Sequence, residues 1–402
     1  MTTIDDPVTN RPRRLARLFE VLRAFGYLGV TSFGGPVAHL AYFHRELVER
    51  RRWISDAAYA HLVAYCQFIP GPASTQLGFL LGWERAGVLG GLAAFLAFTA
   101  PSALLLAVAA IGFESVGPPG AWLAGMKAAV LGIVGQAVVA MARSLCPDAR
   151  RASIAAAVAI LCFVSSSPWA QVVALVPAGL AGYLLLRLPG QQADPGIRSP
   201  SVATMVVCLG LIGISTLAVV LAMVHPGGAL GHLVATCFHA GSLVFGGGHV
   251  VLPLLRDPLV HAGLLTDDQF LAGYGAAQAV PGPLFAVSAW IGAVVAGWSG
   301  AALAVLAIFL PGLLLALGGL RIFNRLGGSP STRRIVAGLN AGVVGLLGAA
   351  LWSPIGVEAI GHPLGVPLAL AAFIALEAWR VPAWLVVGGC AGMTALASRL
   401  GG

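Results

Sequence analysis

A Pro-Gly-Pro triplet stands inside an apolar run twice, at Pro70-Gly71-Pro72 and at Pro281-Gly282-Pro283. Proline removes a backbone donor and clashes with the preceding turn, and glycine weakens a helix, so neither run can be one continuous helix. These runs belong to a membrane. Of the 402 residues 58% are hydrophobic and 9% charged, with a mean hydropathy of +0.90, whereas a soluble domain carries about 25% charged residues. Apolar stretches of about 20 residues, enough to cross hydrocarbon, follow one another along nearly the whole chain. The expected fold class is an all-α polytopic membrane protein. Within a bilayer a helix break is tolerated only where its backbone faces protein or a polar cavity. Two broken segments at matching places in two halves point to a transporter binding site.

The matching extends beyond the triplets. Val244-Phe245-Gly246-Gly247-Gly248-His249 answers Ser32-Phe33-Gly34-Gly35-Pro36-Val37, Thr266-Asp267 answers Ser55-Asp56, and Gln278 answers Gln67. Pro311 answers Pro101, and Gly338-Leu339-Asn340-Ala341 answers Gly125-Met126-Lys127-Ala128. The offset stays between 210 and 213 residues, which marks an internal duplication. The expected organisation is a cytoplasmic tail and amphipathic helix over 1–23, an N-terminal repeat over 24–186 and a cytoplasmic linker over 187–201. An unpaired inverting helix over 202–229 and a C-terminal repeat over 230–402 follow.

Charges orient the repeats. Arg143, Arg150, Arg151 and Arg187 place first-half ends in the cytoplasm, as do Arg321, Arg325, Arg333 and Arg334 in the second half. The loop after the Pro311 segment is basic while its first-half equivalent, with Glu114, is acidic, so the repeats are inverted. The expected location is the cytoplasmic (inner) membrane with the N-terminus in the cytoplasm. No small-residue cleavage site follows the first apolar stretch, so no removed signal is expected. The net charge of +8 is accounted for by these short loops rather than by a nucleic-acid surface.

The segment Ala24 to Phe43 has basic residues at both ends, which conflicts with a single crossing. Two half-helices of about 10 residues, each about 15 Å long, would enter and leave on one side. The Pro-Gly-Pro segments admit the same reading. Full crossings total nine if all four broken segments re-enter, and about 13 if all four are kinked spans.

Candidate binding groups cluster at the breaks. A half-helix beginning at Pro72 offers the free N–H groups of Ala73, Ser74 and Thr75 and the positive end of its dipole, joined by the Ser74 and Thr75 hydroxyls. Pro70, Gly71, Pro281, Gly282 and Pro283 shape the breaks, and Gln67 and Gln278 precede them. Ser32, Gly34, Gly35 and Pro36, with Gly246, Gly247, Gly248 and His249, could present backbone amides as an anion nest, or could serve close helix packing. His39 and His249 could bind anion or carry protons. Lys127, the only lysine, lies inside a span at a cost of about 2.5–3.5 kcal/mol, and its repeat partner is the neutral Asn340. Arg45 and Glu46 are gating or coupling candidates, Arg50, Arg51 and Arg52 read as a lipid-headgroup anchor, and Glu84 and Arg85 read as a solvated loop pair. Cys66, Cys146, Cys162, Cys208, Cys237 and Cys390 show no metal spacing. No catalytic residue, metal site or cofactor is expected: there is no H-E-x-x-H, G-x-S-x-G or P-loop motif, and no pair of acids within one span.

With these motifs in view, the chain resembles the chromate ion transporter family in its long, two-domain form. The resemblance rests on Phe33-Gly34-Gly35-Pro36, Gln67-Phe68-Ile69-Pro70-Gly71-Pro72, Phe245-Gly246-Gly247-Gly248-His249 and Gln278-Ala279-Val280-Pro281-Gly282-Pro283, and covers Ala24 to about Trp352. It implies secondary active export of chromate from the cytoplasm, chromate resistance, and sulfate as a related oxyanion. Pro283 is not followed by the Ser-Thr pair found after Pro72, so a carry-over of hydroxyl ligands is limited to Ser74 and Thr75, with Ser288 a distant substitute. A permease for sulfate or another tetrahedral oxyanion is the alternative. An intramembrane enzyme acting on lipid-linked phosphates, or a channel, belongs to a different class. The expected partners are the oxyanion substrates and the lipid bilayer, with a homodimer as a candidate assembly.

Overall fold

The computed structural model of the chain describes residues 7–33, 35–115, 120–164, 170–188, 197–224, 228–244, 251–326, 329–357 and 362–400. Its secondary-structure elements are all helical among these residues. The first half contains α1 (Pro7–Thr31), α2 (Gly35–Phe43, extended by a π-helical turn His44–Arg50), α3 (Asp56–Phe68) and α4 (Ala73–Ser115). It continues with α5 (Trp122–Leu145), α6 (Ala149–Val164) and α7 (Ala170–Leu185). α8 (Val202–Val224) stands between the halves. The second half contains α9 (Gly228–Leu243), α10 (Val251–His261), α11 (Asp267–Ala279) and α12 (Val287–Leu326). It ends with α13 (Pro330–Ala350), α14 (Gly365–Glu377) and α15 (Ala383–Leu400). Helix α1 runs unbroken through residue 23, so the amphipathic stretch and the first intramembrane arm are one helix.

The four broken segments are hairpins whose outer ends lie together. In the first, Phe25 packs against Phe43 with ring centroids 5.6 Å apart, and farther out the Trp53 indole donates to Glu20 at 2.9 Å. In the second, Ser55 and Ala58 at the start of α3 share one cavity with Glu84 and Arg85, on the far side of the Pro-Gly-Pro. His232 reaches the Pro258 carbonyl (3.3 Å) in the third, and the Trp290 indole donates to the Gln269 carbonyl (3.0 Å) in the fourth. Arms such as α3, 13 residues and about 20 Å long, are shorter than a hydrocarbon core of about 30 Å. Caps start them: Ser55 caps α3, and Thr266 forms a reciprocal capping box with Gln269 on α11. Nine helical segments lie outside the hairpins among the described residues. Those in α4, α5, α8, α12 and α13 are long and apolar enough to cross a membrane.

Both long helices contain a sharp turn at equivalent positions, Ala86-Gly87 (glycine φ +70°) and Ala296-Gly297 (φ +60°). Each is a hairpin arm joined directly to a crossing helix. Next to these turns Gly82 lies against Gly90, and Gly292 against Gly300, so closely that a Cβ would overlap carbonyl oxygen. The expectation of a solvated Glu84–Arg85 pair is corrected here. Arg85 bonds Glu20 at 2.7 Å, and Glu84 accepts from the Arg198 main-chain N–H at 3.0 Å.

The inversion is visible in what each face joins. On one face the bases of the first-half hairpins, with Glu20, Arg51 and Arg85, meet the end of α12, where Arg321 donates to the Pro200 carbonyl and Asn324 to Ser199. On the other face the end of α4 meets the base of the fourth hairpin, with Phe113 against Trp290 at 5.3 Å. The halves also exchange helices: α5 packs against α14 and α15, and its repeat equivalent α13 against α6 and α7. Glycines spaced seven residues apart permit this. Gly125 and Gly132 meet the carbonyls of Cys390 and Ala369, while Gly338 and Gly345 meet those of Ala178 and Ala155. Small residues at such crossings let backbones approach where lipid offers no hydrophobic drive between helices. A Cβ on Gly345 would overlap the Ala155 carbonyl oxygen. Gly345→Ala is therefore expected to lower stability by about 1–3 kcal/mol, read as an earlier thermal transition of the detergent-solubilised protein; Gly348→Ala, with open space around it, should leave the transition within about 0.5 kcal/mol.

Candidate functional site

Proline breaks leave orphan backbone groups, and the decisive question is where they find partners. The Gly71 N–H donates to the Val244 carbonyl at 2.6 Å, and the Gly282 N–H donates to the Ser32 carbonyl at 3.0 Å. Residues 71 and 282 are repeat equivalents, as are 32 and 244. Each half thus closes the other's break. Both glycines adopt positive φ, +123° and +107°, which disfavours a side chain. A Cβ on Gly71 would also meet Gln76 and Gly312, and one on Gly282 would meet Ser102. Gly312 and Ser102 follow Pro311 and Pro101, so the proline bends of the two crossing helices line the same junction.

Ser32, Gly35, His39, Pro70, Gly71, Pro72, Ser74, Thr75, Pro281, Gly282 and Pro283 belong to this junction or to the helix turns that enter it. His39 is fully buried, its Nε2 3.2 Å from the Ser32 carbonyl and its Nδ1 3.3 Å from the Ser74 hydroxyl. A carbonyl can only accept, so Nε2 carries a proton and donates to Ser32, and in the neutral ring Nδ1 then accepts from the Ser74 hydroxyl. The first arm of α4 begins at Ala73, and its first intrahelical bond is Gln76 N–H to the Pro72 carbonyl at 2.9 Å, which leaves the amides of residues 73–75 at the break. The hydroxyls of Ser32, Thr75 and Thr99 are buried without a hydrogen-bond partner among the described residues. Buried polar groups are nearly always paired, so three unpaired hydroxyls beside free amides make this junction a candidate oxyanion site.

Gln76 is the residue that sequence reasoning missed. It is fully buried, and its Nε2 donates to the Pro70 carbonyl (2.7 Å) and the Gly312 carbonyl (3.2 Å), tying the first break to the other half's crossing helix. Its repeat equivalent is Val287, so a search for paired motifs passes over it; an amide four residues beyond Pro72 in an apolar arm is the signal that could have found it. The expected glutamines lie elsewhere. Gln67 is exposed, and Gln278 bonds the Tyr274 side chain. Ser288 donates to the Phe285 carbonyl at 2.8 Å, which occupies the expected substitute hydroxyl.

Charged candidates are kept away from the junction. The Lys127 ammonium lies 2.6 Å from Asp268, in the first turn of α11 and a full arm from the break. Asn340 sits half-buried on α13, its side-chain oxygen without a partner among the described residues. Arg45 stacks over Tyr42 at 5.9 Å. Glu46 is bound by Arg51 (2.7 Å) and Arg50 (3.0 Å) at the arginine-bearing face. Gly34, Gly246, Gly247, Gly248 and His249 fall outside the described residues, as does the side chain of Pro36. No group of three or more metal-ligating side chains occurs among the described residues.

Fold and site together define a polytopic membrane protein of two inverted repeats that share one buried polar junction. The family model described as "Chromate transporter" matches residues 19–183 and again 231–395. A chromate transport protein of Pseudomonas aeruginosa is 31% identical over 92% of this chain and 88% of its own length. A probable chromate transport protein of Synechococcus elongatus is 31% identical over 83% and 84%, and a chromate transport protein of Cupriavidus metallidurans 30% identical over 83% and 82%. The chain belongs to the chromate transporter family. No solved structure matches it.

Two expectations follow. Gln76→Leu leaves two buried carbonyls without their donor, at about 1–3 kcal/mol for each unsatisfied group, and should lower thermal stability in detergent more than Gln67→Leu does. Burial raises the Glu46 carboxyl, but its bonds to Arg51 and Arg50 outweigh that and hold it below the ordinary value of 4.5. Its contribution is therefore complete above pH 4.5 and is lost as pH falls through the lowered value. Melting curves between pH 7 and pH 3 should show Glu46→Gln less stable at pH 7 and converging with the parent in acid.

Proposed function

We propose that this chain exports chromate from the cytoplasm as a secondary active transporter, by alternating access around the junction of breaks. Sulfate is the competing or exchanged oxyanion. The observation that carries this reading is the set of unpaired hydroxyls of Ser32, Thr75 and Thr99 beside the free amides of residues 73–75. A dianion of four oxygens needs many donors, which hydroxyls and amides at a helix start supply. Relatives named for chromate transport supply the substrate class. The arginine-bearing face is assigned to the cytoplasm by the positive-inside rule, and with it the N-terminus. An inside-negative potential of 100 mV contributes about 2.3 kcal/mol per charge, so about 4.6 kcal/mol favours the exit of a dianion.

The symmetry supports alternating access. Toward the arginine-bearing face Phe323 packs against Tyr65 and Phe68, at 4.9 and 5.2 Å. Its repeat equivalent, Phe113, packs against Trp122 and Trp290 toward the other face, at 5.8 and 5.3 Å. Parting one aromatic layer while the other stays packed exposes the junction to one side at a time.

The test is uptake of labelled chromate into inside-out vesicles, with and without excess sulfate, beside a Ser32→Ala, Thr75→Val variant checked for normal membrane insertion. Saturable, sulfate-sensitive uptake is expected. The variant should need at least about tenfold more chromate for half-saturation, since a hydrogen bond to a charged group contributes about 1.5–3 kcal/mol. Equal uptake by the variant would move the site away from the junction. Sulfate uptake without chromate uptake, under an imposed potential and proton gradient, would favour a permease for another tetrahedral oxyanion.

A further inference from the structure

A second anion-favouring cavity lies on the arginine-bearing face, far from the junction. It measures about 470 Å³ and is lined by three guanidinium groups from three separate segments: Arg17 of α1, Arg85 at the sharp turn in α4, and Arg198 of the stretch leading into α8. Two are held in place before any ligand arrives. Arg85 bonds Glu20 at 2.7 and 3.1 Å and lies over the Trp53 ring at 5.4 Å, and Arg198 lies over the Trp83 ring at 5.8 Å. Arg17 is exposed. Two carboxylates stand beside it: Glu20 is engaged by Arg85 and Trp53, and Glu84 accepts from the Arg198 main-chain N–H and lines the adjoining cavity of about 400 Å³, which leaves Arg17 as the guanidinium without an acidic neighbour in this set. The helical arm 88–115 starts at this cavity, because Gly87 at φ +70° interrupts the helix before it. The positive end of a long helix therefore faces the same space.

The other wall is apolar. Leu15, Leu18, Val88 and Leu89 line it, and Leu15 and Leu89 are 66% and 68% exposed. A free oxyanion has no use for that wall, whereas an acyl chain does. We propose that this cavity binds an anionic phospholipid, its phosphate between Arg17, Arg85 and Arg198 and an acyl chain along Leu15, Leu18 and Leu89. The internal duplication supplies a comparison. The equivalent turn on the opposite face, Ala296-Gly297, has the same backbone but Val295, Trp298 and Ser299 where the first half has Arg85, Val88 and Leu89. Two copies of one turn thus differ in the charge that selects a headgroup. The basic copy is on the face with the other arginines, where an anionic leaflet attracts them.

The experiment uses the full chain, delipidated in a neutral detergent and titrated with phosphatidylglycerol, phosphatidylcholine or inorganic phosphate, with thermal transition and lipid retained in native mass spectra as readouts. Phosphatidylglycerol should raise the transition saturably and stay bound as one molecule, while phosphatidylcholine and phosphate at equal concentration should do neither. Arg17→Gln, Arg198→Gln leaves the Glu20–Arg85 bond intact and should raise the half-saturating phosphatidylglycerol concentration at least tenfold. Arg17→Gln alone, at an exposed position that keeps the packing, should raise it several-fold. Equal phosphatidylglycerol response in the single variant would overturn the proposal, as would an equal response to phosphatidylcholine. An equal effect of phosphate would reassign the cavity to free anions.

Discussion

Two main-chain hydrogen bonds, Gly71 to Val244 and Gly282 to Ser32, hold the centre of this protein together. At membrane depth an unpaired amide costs several kcal/mol, and water is not there to relieve it. A hairpin with a proline on either side of a glycine cannot satisfy that glycine from within, because the chain on both sides is diverted. The partner carbonyl comes from the other half, where a second break has freed it. Each repeat is therefore incomplete in the place where the other can complete it, and the requirement for glycine at positive φ follows from the same geometry. Proline bends at 101 and 311, the tight approach of Gly312 to Gly71 and the bracing by Gln76 all serve this exchange.

The distribution of charge follows from it. Salt bridges, including Lys127–Asp268, Arg85–Glu20 and Arg51–Glu46, lie at the hairpin bases and helix ends. Among the described residues the junction is built from amides, hydroxyls and His39, which is braced between Ser32 and Ser74. Dipoles of this kind each contribute roughly 0.3–2 kcal/mol toward an anion. A site assembled from several can hold a dianion and still let it go, because no single full charge has to be abandoned on release.

Much of the architecture was legible in the sequence. The constant offset between motifs gave the duplication, loop arginines gave the inversion, and charge at both ends of the Ala24–Phe43 run pointed to a re-entrant hairpin there while kinked spans stayed open. Those signals are local or periodic. What was not legible depends on contacts across the halves. Lys127 looked like a membrane-depth charge because Asp268, its partner, lies in the other repeat. Gln67 and Gln278 looked like a pair because they align, yet one is exposed and the other is taken up by Tyr274. Gln76 escaped notice because nothing aligns with it. Symmetry located the junction but not the residues that make its two sides differ.

Those differences bear on why the two repeats share one chain. Two separate copies of a single half, related by a twofold axis, would be bound to carry the same residue at both breaks and the same turn on both faces. Gln76 against Val287, and Arg85 against Val295, are substitutions that such an assembly could not make on one side only. Helix α8 stands between the halves within one polypeptide, and we propose that it is the odd crossing that turns the second copy over. From then on each side of the membrane can be shaped by its own mutations. The fused chain keeps the geometry of a symmetric pair while its two faces evolve independently.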